Sequence, residues 1–214
     1  MKRILFFDLD GTLTDPGVGI TNSVAYALRK FGIEVPPREK LYTFIGPPLY
    51  DSFKELFGLS HEDAETAVTY YREYFAPIGK LENTVYDGIP EMLESLKADG
   101  RTLVVATSKP EKFALEILAH FDLLKYFDKV YGATMDEKRN TKDAVIAYAL
   151  DEMKLSACDV LMIGDRKYDI EGAHKNGMEA VGVLYGYGDR AEFEKEGAEY
   201  IAADVKELYE LLKN

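Results

Sequence analysis

Ile4-Leu5-Phe6-Phe7-Asp8-Leu9-Asp10-Gly11-Thr12 places four apolar residues directly before two aspartates and a glycine. A short apolar run closed by a turn signal reads as a strand buried on both faces. Asp8 and Asp10 then lie beyond the carboxyl end of a strand, where open parallel sheets bind ligands. Residues two apart in an extended segment point to the same side. Two carboxylates ~5 Å apart repel by roughly 3 kcal/mol at an effective dielectric of 20. Such a pair needs a cation or a shared proton, and Mg²⁺ is the hard cation suited to oxygen ligands. Gly11 permits a tight turn and a close approach of backbone to ligand.

Outward from this stretch the chain repeats the same kind of strand. Thr102–Ala106, Lys129–Tyr131, Val160–Ile163 and Ala180–Leu184 are short, apolar and often β-branched. Helical periods separate them at Pro90–Asp99, Pro110–His120, Thr141–Lys154 and Asp169–Asn176, with a last helix near Val205–Leu212. This alternation predicts an α/β fold with a Rossmann-like parallel sheet. Residues 16–83 break it. They read as helices near Thr21–Phe31, Arg38–Phe44, Leu49–Phe57 and Glu62–Phe75, the last opened by a capping box from Ser60 and Asp63. The expected organisation is a core of residues 1–15 and 84–214 with an all-helical cap, 16–83, inserted after the first strand.

The chain has 214 residues and a formal net charge of -12. That balance argues against nucleic-acid binding, which uses a basic face, and means an anionic substrate needs locally placed cations. No apolar run approaches the ~20 residues of a membrane span. The apolar stretch before Asp8 is too short for a signal peptide, whose apolar region runs ~7–15 residues. A cytoplasmic protein, monomeric by default, is expected. The single cysteine, Cys158, excludes an intrachain disulfide and reads as a small buried hydrophobe.

Further candidate residues cluster at other strand ends. Asp165 ends the fourth strand and Asp169 stands four residues on, near a helix start. Alone they read as helix caps; beside Asp8 and Asp10 they supply missing metal ligands. Thr107 and Ser108 close the second strand and Lys109-Pro110 opens the next helix, a hydroxyl-plus-amide arrangement suited to phosphate. A lysine is expected near the next strand to neutralise that phosphate; Lys138, Arg139 and Lys142 are the candidates, and Lys142 fits best because it starts a helix. Arg139 is also a candidate for a substrate anion. Gly46-Pro47-Pro48 is a rigid turn that reads as a specificity loop, and Gly17-Val18-Gly19-Ile20 as a hinge or an entrance. Tyr185-Gly186-Tyr187-Gly188 is glycine-rich but lacks the context of a nucleotide-binding loop.

Four segments in order, Phe6–Thr12, Val104–Thr107, Lys142 and Ile163–Asp169, resemble the haloacid dehalogenase superfamily, in its phosphoglycolate phosphatase-like branch. The resemblance spans nearly the whole chain, including the Phe44–Leu49 stretch. It implies a Mg²⁺-dependent phosphatase of small phosphorylated metabolites. It implies Asp8 as nucleophile forming an aspartyl-phosphate, and Asp10 as general acid and then base. It implies Mg²⁺ held by Asp8, the Asp10 backbone carbonyl and Asp165, with Asp169 behind them, supporting the metal through water or orienting Lys142. Thr107 and Lys142 would bind the phosphoryl oxygens, with Gly11, Thr12, Ser108, Gly46 and Arg139 as further substrate contacts. Dehalogenases in the superfamily lack an acid two residues after the nucleophile; Asp10 therefore favours phosphoester chemistry. A nucleoside 5'-monophosphate phosphatase, a β-phosphoglucomutase-like mutase and a non-catalytic scaffold are the alternatives, the last least supported because all four aspartates are present.

Overall fold

In a computed structural model, residues 2–136 and 138–213 are described. In chain order the strands and helices are β1 (Ile4–Phe7), β2 (Thr14–Asp15), α1 (Gly17–Lys30), α2 (Arg38–Leu41), α3 (Leu49–Phe57), α4 (His61–Phe75), β3 (Thr84–Val85), α5 (Ile89–Ala98) and β4 (Thr102–Pro110). Then come α6 (Glu111–His120), β5 (Lys129–Ala133), α7 (Lys142–Met153), β6 (Val160–Gly164), α8 (Lys167–Lys175), β7 (Glu179–Val183), α9 (Arg190–Glu196), β8 (Tyr200–Ala202) and α10 (Val205–Lys213). Two compact units result, one of residues 1–15 and 85–214, the other of residues 16–84. β2 and β3 pair with each other and carry the two crossings.

The α/β unit holds a six-stranded sheet ordered β5-β4-β1-β6-β7-β8, with every neighbouring pair parallel. Counted along the chain this is the order 3-2-1-4-5-6 of a doubly wound sheet. β1 is central because Leu5, Phe6 and Phe7 are fully buried and fill both faces. Phe6, Val104, Met162 and Ala180 share a face and pack against Val145, Ile146 and Ala149 of α7 and Ile170 and Ala173 of α8. The register pairs Phe7 with Val105 on one side and Ile163 on the other. The Asp8 amide continues the ladder, donating to the Ile163 carbonyl at 2.9 Å. The ends of β1 and β6 are thereby brought level, while β4 runs on past them.

β4 runs through Thr107, Ser108 and Lys109 to Pro110, with a register shift between Ala106 and Pro110. The helix expected to start at Pro110 starts at Glu111, with Pro110 as its extended N-cap residue. Lys109 is consequently a strand residue. β8 and α9 were not anticipated; the first has three residues, and the second is a seven-residue polar helix set by the Asp189 cap and the left-handed Gly197. Cys158 is exposed rather than buried, because it sits on a one-turn 3-10 helix before β6.

The helical unit packs α1 against α4, with Tyr26 and Tyr74 rings 5.7 Å apart. Ser60 caps α4 by accepting from the Asp63 amide at 3.1 Å, as the capping signal predicts. Gly17–Ile20 form the first turn of α1. A Cβ on Gly19 would lie 1.9 Å from the Gly79 carbonyl oxygen, so glycine is what lets these two segments meet. Among the described residues, no helix is long and apolar enough to cross a membrane.

Candidate active site

Four aspartates converge at the carboxyl ends of β1 and β6. Asp8 is 7% exposed, Asp165 0% and Asp169 1%. One carboxylate oxygen from each of these three lies within 4.8 Å of the other two. Asp8 Oδ1 accepts from the Leu9 amide at 2.7 Å, which fixes its plane. Asp169 reaches back from the first turn of α8 and accepts from the Arg166 amide through Oδ2 at 3.0 Å, closing the N-terminal turn of the helix.

Two lysines enter this acidic cluster. Lys142, at the start of α7, is buried and lies 2.8 Å from Asp8 Oδ1 and 2.7 Å from Asp169 Oδ1. It also donates to the Ala106 carbonyl at 3.0 Å, so the ammonium group sits between β4, Asp8 and Asp169. The approach to Asp169 Oδ1 is an ion pair without hydrogen-bond geometry. Lys138, the rival candidate, is exposed and pairs with Asp136 at 3.1 Å. Lys109 lies 2.6 Å from Asp10 Oδ2 with both side chains largely buried. Sequence reasoning did not assign Lys109 a role, because it read the residue as a helix start.

Burial raises the Asp10 carboxyl above its ordinary range, against the opposing pull of Lys109. Burial, then repulsion by Asp169 and Asp8, pushes Asp165 well up. Burial raises Asp169 to about 6 although Lys142 pulls it down. Burial lowers Lys142, but Asp169 and Asp8 outweigh it and raise it overall. Four carboxyl groups, three of them buried, face two ammonium groups, and a divalent cation beside them would favour their ionised forms. Asp10 Oδ1 and Asp165 Oδ1 are buried with no hydrogen-bond partner. A buried charged oxygen without a donor is rare unless an ion or water serves it. An all-oxygen donor set of this charge suits Mg²⁺.

The remaining candidates sort by position. Thr107 is buried and its Oγ1 accepts from the Lys109 amide at 3.2 Å; Ser108 beside it is half-buried. Thr12 Oγ1 is buried without a partner. Gly11 has φ +80°, and a Cβ there would lie 2.0 Å from Asp165 Oδ2. Its close approach is therefore to a site carboxylate. A Cβ on Gly164 would likewise meet Asp169 Cγ at 2.1 Å. Arg139 stacks 3.8 Å over the Tyr148 ring, donates to the Gly132 carbonyl at 3.0 Å and pairs with Glu111 at 3.3 Å; none of these partners belongs to the Asp8 cluster. Gly46 belongs to the helical unit and has φ 110°, a conformation that favours glycine.

A doubly wound sheet with a carboxylate cluster at its switch point is the arrangement that the motifs led one to expect. The haloacid dehalogenase-like hydrolase family model matches residues 5–183, and the chain belongs to that family. Over 210 residues, 98% of this chain and 95% of the relative, it is 45% identical to a 5'-nucleotidase of Pseudomonas aeruginosa. It is 38% identical to a tyrosine-protein kinase of Mycobacterium tuberculosis over 98% of this chain and 72% of that one. Its fold matches the crystal structure of a predicted phosphatase from Clostridium acetobutylicum with a TM-score of 0.97 and 47% identity, covering 100% of this chain and 99% of that one.

Proposed function

We propose that this chain is a Mg²⁺-dependent phosphatase that hydrolyses small phosphate monoesters through an aspartyl-phosphate on Asp8. The observation that supports it most is the cluster of four carboxyl groups, three of them buried, faced by two lysines and carrying unpartnered oxygens on Asp10 and Asp165. Membership of a hydrolase family and the phosphatase names of close relatives agree with phosphoric monoester hydrolysis. Asp8, the Asp10 backbone carbonyl and Asp165 would hold the ion. When bound, it neutralises phosphoryl charge and lowers the repulsion between an anionic nucleophile and a phosphate dianion.

Each protein group then has a task. Asp8, with Oδ1 fixed by the Leu9 amide, attacks phosphorus and takes the phosphoryl group. Asp10 gives a proton to the departing alkoxide and afterwards takes one from the hydrolytic water. Lys142 and Thr107 hold phosphoryl oxygens. Asp169, engaged by Lys142 and the Arg166 amide, keeps Lys142 aimed. Substrate selection is assigned to the helical unit as a cap, with Gly46-Pro47-Pro48 among its determinants. The 45% identical relative's name puts nucleoside 5'-monophosphates first among substrates, ahead of phosphoglycolate and sugar phosphates.

The test is phosphate release from these three classes with Mg²⁺ or EDTA. Mg²⁺-dependent release, fastest for a nucleoside 5'-monophosphate, is expected. A folded enzyme that releases phosphate from none of them contradicts the reading. An arm with ATP and a tyrosine peptide is expected to leave the peptide unphosphorylated.

Two further results are expected. At 100 times its dissociation constant, Mg²⁺ stabilises the folded state by about 2.7 kcal/mol, which raises Tm by about 5–10 °C for a chain of this size. Calorimetric scans in EDTA and in MgCl₂ check this, and Asp165→Asn removes most of the shift. Lys109→Met frees Asp10 Oδ2 and lets the acid wander. The expected loss in kcat/KM is about 10²-fold for an alkyl phosphate, whose leaving group needs a proton. For p-nitrophenyl phosphate it is under about fivefold, since that phenolate departs unprotonated. Equal losses for both substrates would show that Lys109 does not act through Asp10.

A further inference from the structure

Tyr185-Gly186-Tyr187-Gly188, one residue beyond β7, is tied by a backbone amide and two hydroxyls to the segments that follow β6 and β1. The Tyr187 amide donates to Asp165 Oδ2 at 2.8 Å. The Tyr185 hydroxyl donates to the Thr12 carbonyl at 3.0 Å, and its ring packs edge-on to Tyr86 at 5.1 Å between centroids. The Tyr187 hydroxyl hydrogen-bonds Asp15. Neither glycine tolerates a side chain. A Cβ on Gly186 would lie 2.3 Å from both Asp165 Cβ and the Gly11 carbonyl oxygen; on Gly188 it would lie 2.2 Å from the Asp165 carbonyl oxygen. Such approaches to backbone require glycine.

This strap makes the two oxygens of Asp165 unlike. Oδ2 takes the Tyr187 amide and is wedged against Gly11. Oδ1 has no hydrogen-bond partner, on a residue that is 0% exposed. A carboxylate free to rotate would share its oxygens between a donor and an ion; one locked through Oδ2 offers Oδ1 alone.

We propose that the Tyr185–Gly188 strap is a positioning element for the divalent cation, fixing Asp165 so that only Oδ1 is presented to the ion. This rests on the reading of the Asp8 cluster as the cation site. Groups that orient a metal ligand from behind set affinity, and their loss costs 10–100-fold.

The experiment is isothermal titration of the metal-free full-length protein with MgCl₂, for wild type, Gly186→Ala, Tyr185→Phe and Asp165→Asn, alongside Tm in EDTA. Wild type binds and Asp165→Asn does not. Gly186→Ala binds about 10–100-fold more weakly. Tyr185→Phe, which removes one hydroxyl, binds about fivefold more weakly, the worth of one neutral hydrogen bond. A merely structural loop would lower Tm in EDTA and leave the dissociation constant of the folded protein unchanged. Equal dissociation constants in wild type and strap variants overturn the inference while the cation reading stands. If Gly186→Ala does not fold, an unchanged constant for Tyr185→Phe overturns it equally. A wild type that binds no Mg²⁺, or binds it as Asp165→Asn does, removes the cation reading and this inference with it.

Discussion

Asp8→Asn loses turnover of p-nitrophenyl phosphate by at least about 10⁴-fold, the scale seen when a covalent nucleophile is removed, while the protein stays folded. The amide has the shape of the carboxylate, so its oxygen still accepts from the Leu9 amide, 2.7 Å away. It still faces Lys142 at 2.8 Å, and Lys142 keeps Asp169 as a charged partner. The substitution removes one negative charge from a cluster in which four carboxyl groups face two ammonium groups. Tm in EDTA is therefore unchanged or higher. Loss of activity combined with undiminished stability is the signature of a chemical role. A loss smaller than about tenfold would exclude Asp8 as nucleophile.

Lys142→Met fails in both respects. Its ammonium is the shared counterion of Asp8 and Asp169, and removing one partner of a buried ion pair costs about 3–5 kcal/mol. It also withdraws a phosphoryl contact, worth about 10²–10³ in kcat. The stability loss depends on pH. Asp169 already titrates at about 6 because of burial, with Lys142 holding it down. Without the lysine its carboxyl rises further above the unfolded value. A carboxyl raised in the folded state adds stability that is fully present below the unfolded pKa and is lost as pH rises through the folded pKa. The deficit of Lys142→Met in EDTA is thus largest near pH 8 and shrinks toward pH 5. Denaturant titrations at the two pH values measure it; a deficit that grows toward pH 5 would contradict this assignment of charge.

How much of this was legible beforehand depends on how local each signal is. β1 was read with its true limits because Ile4–Phe7 is bounded by charge on one side and by Asp8 on the other. The parallel sheet followed from alternation of apolar runs and helical periods, and the strand-end location of Asp8 and Asp165 from that; the strand order, which puts both at the switch point, is tertiary. Lys142 was singled out because it starts the helix after the third long strand, and the structure places it beside Asp8 and Asp169. Lys109 was missed for a local reason: Pro110 signals a helix start, yet the chain stays extended through Pro110 with a register shift against β5. Its partner Asp10 lies beyond the end of another strand, β1, and nothing in the sequence near either residue marks the pair. The Tyr185–Gly188 strap was read only for what it lacks, a nucleotide-binding context. Its contacts with Asp165, Thr12 and Gly11 depend on tertiary approach. Gly11 shows the same limit, since it was read as a tight turn approaching a ligand, whereas the atom crowding it is Asp165 Oδ2. Arg139 looked available for an anion because a surface cation and a stapling cation are identical in sequence.

The most direct test of the central claim is mass spectrometry of acid-quenched Asp10→Asn mixed with p-nitrophenyl phosphate and Mg²⁺. This leaving group departs without a proton, so Asp8 is phosphorylated, while hydrolysis, which needs the Asp10 base, is slow. The account predicts one phosphoryl group per chain within the first turnover, on the peptide carrying Asp8, and none in Asp8→Asn. Release of p-nitrophenol with no phosphoryl group on the protein at any quench time, or a phosphoryl group on another residue, would contradict it.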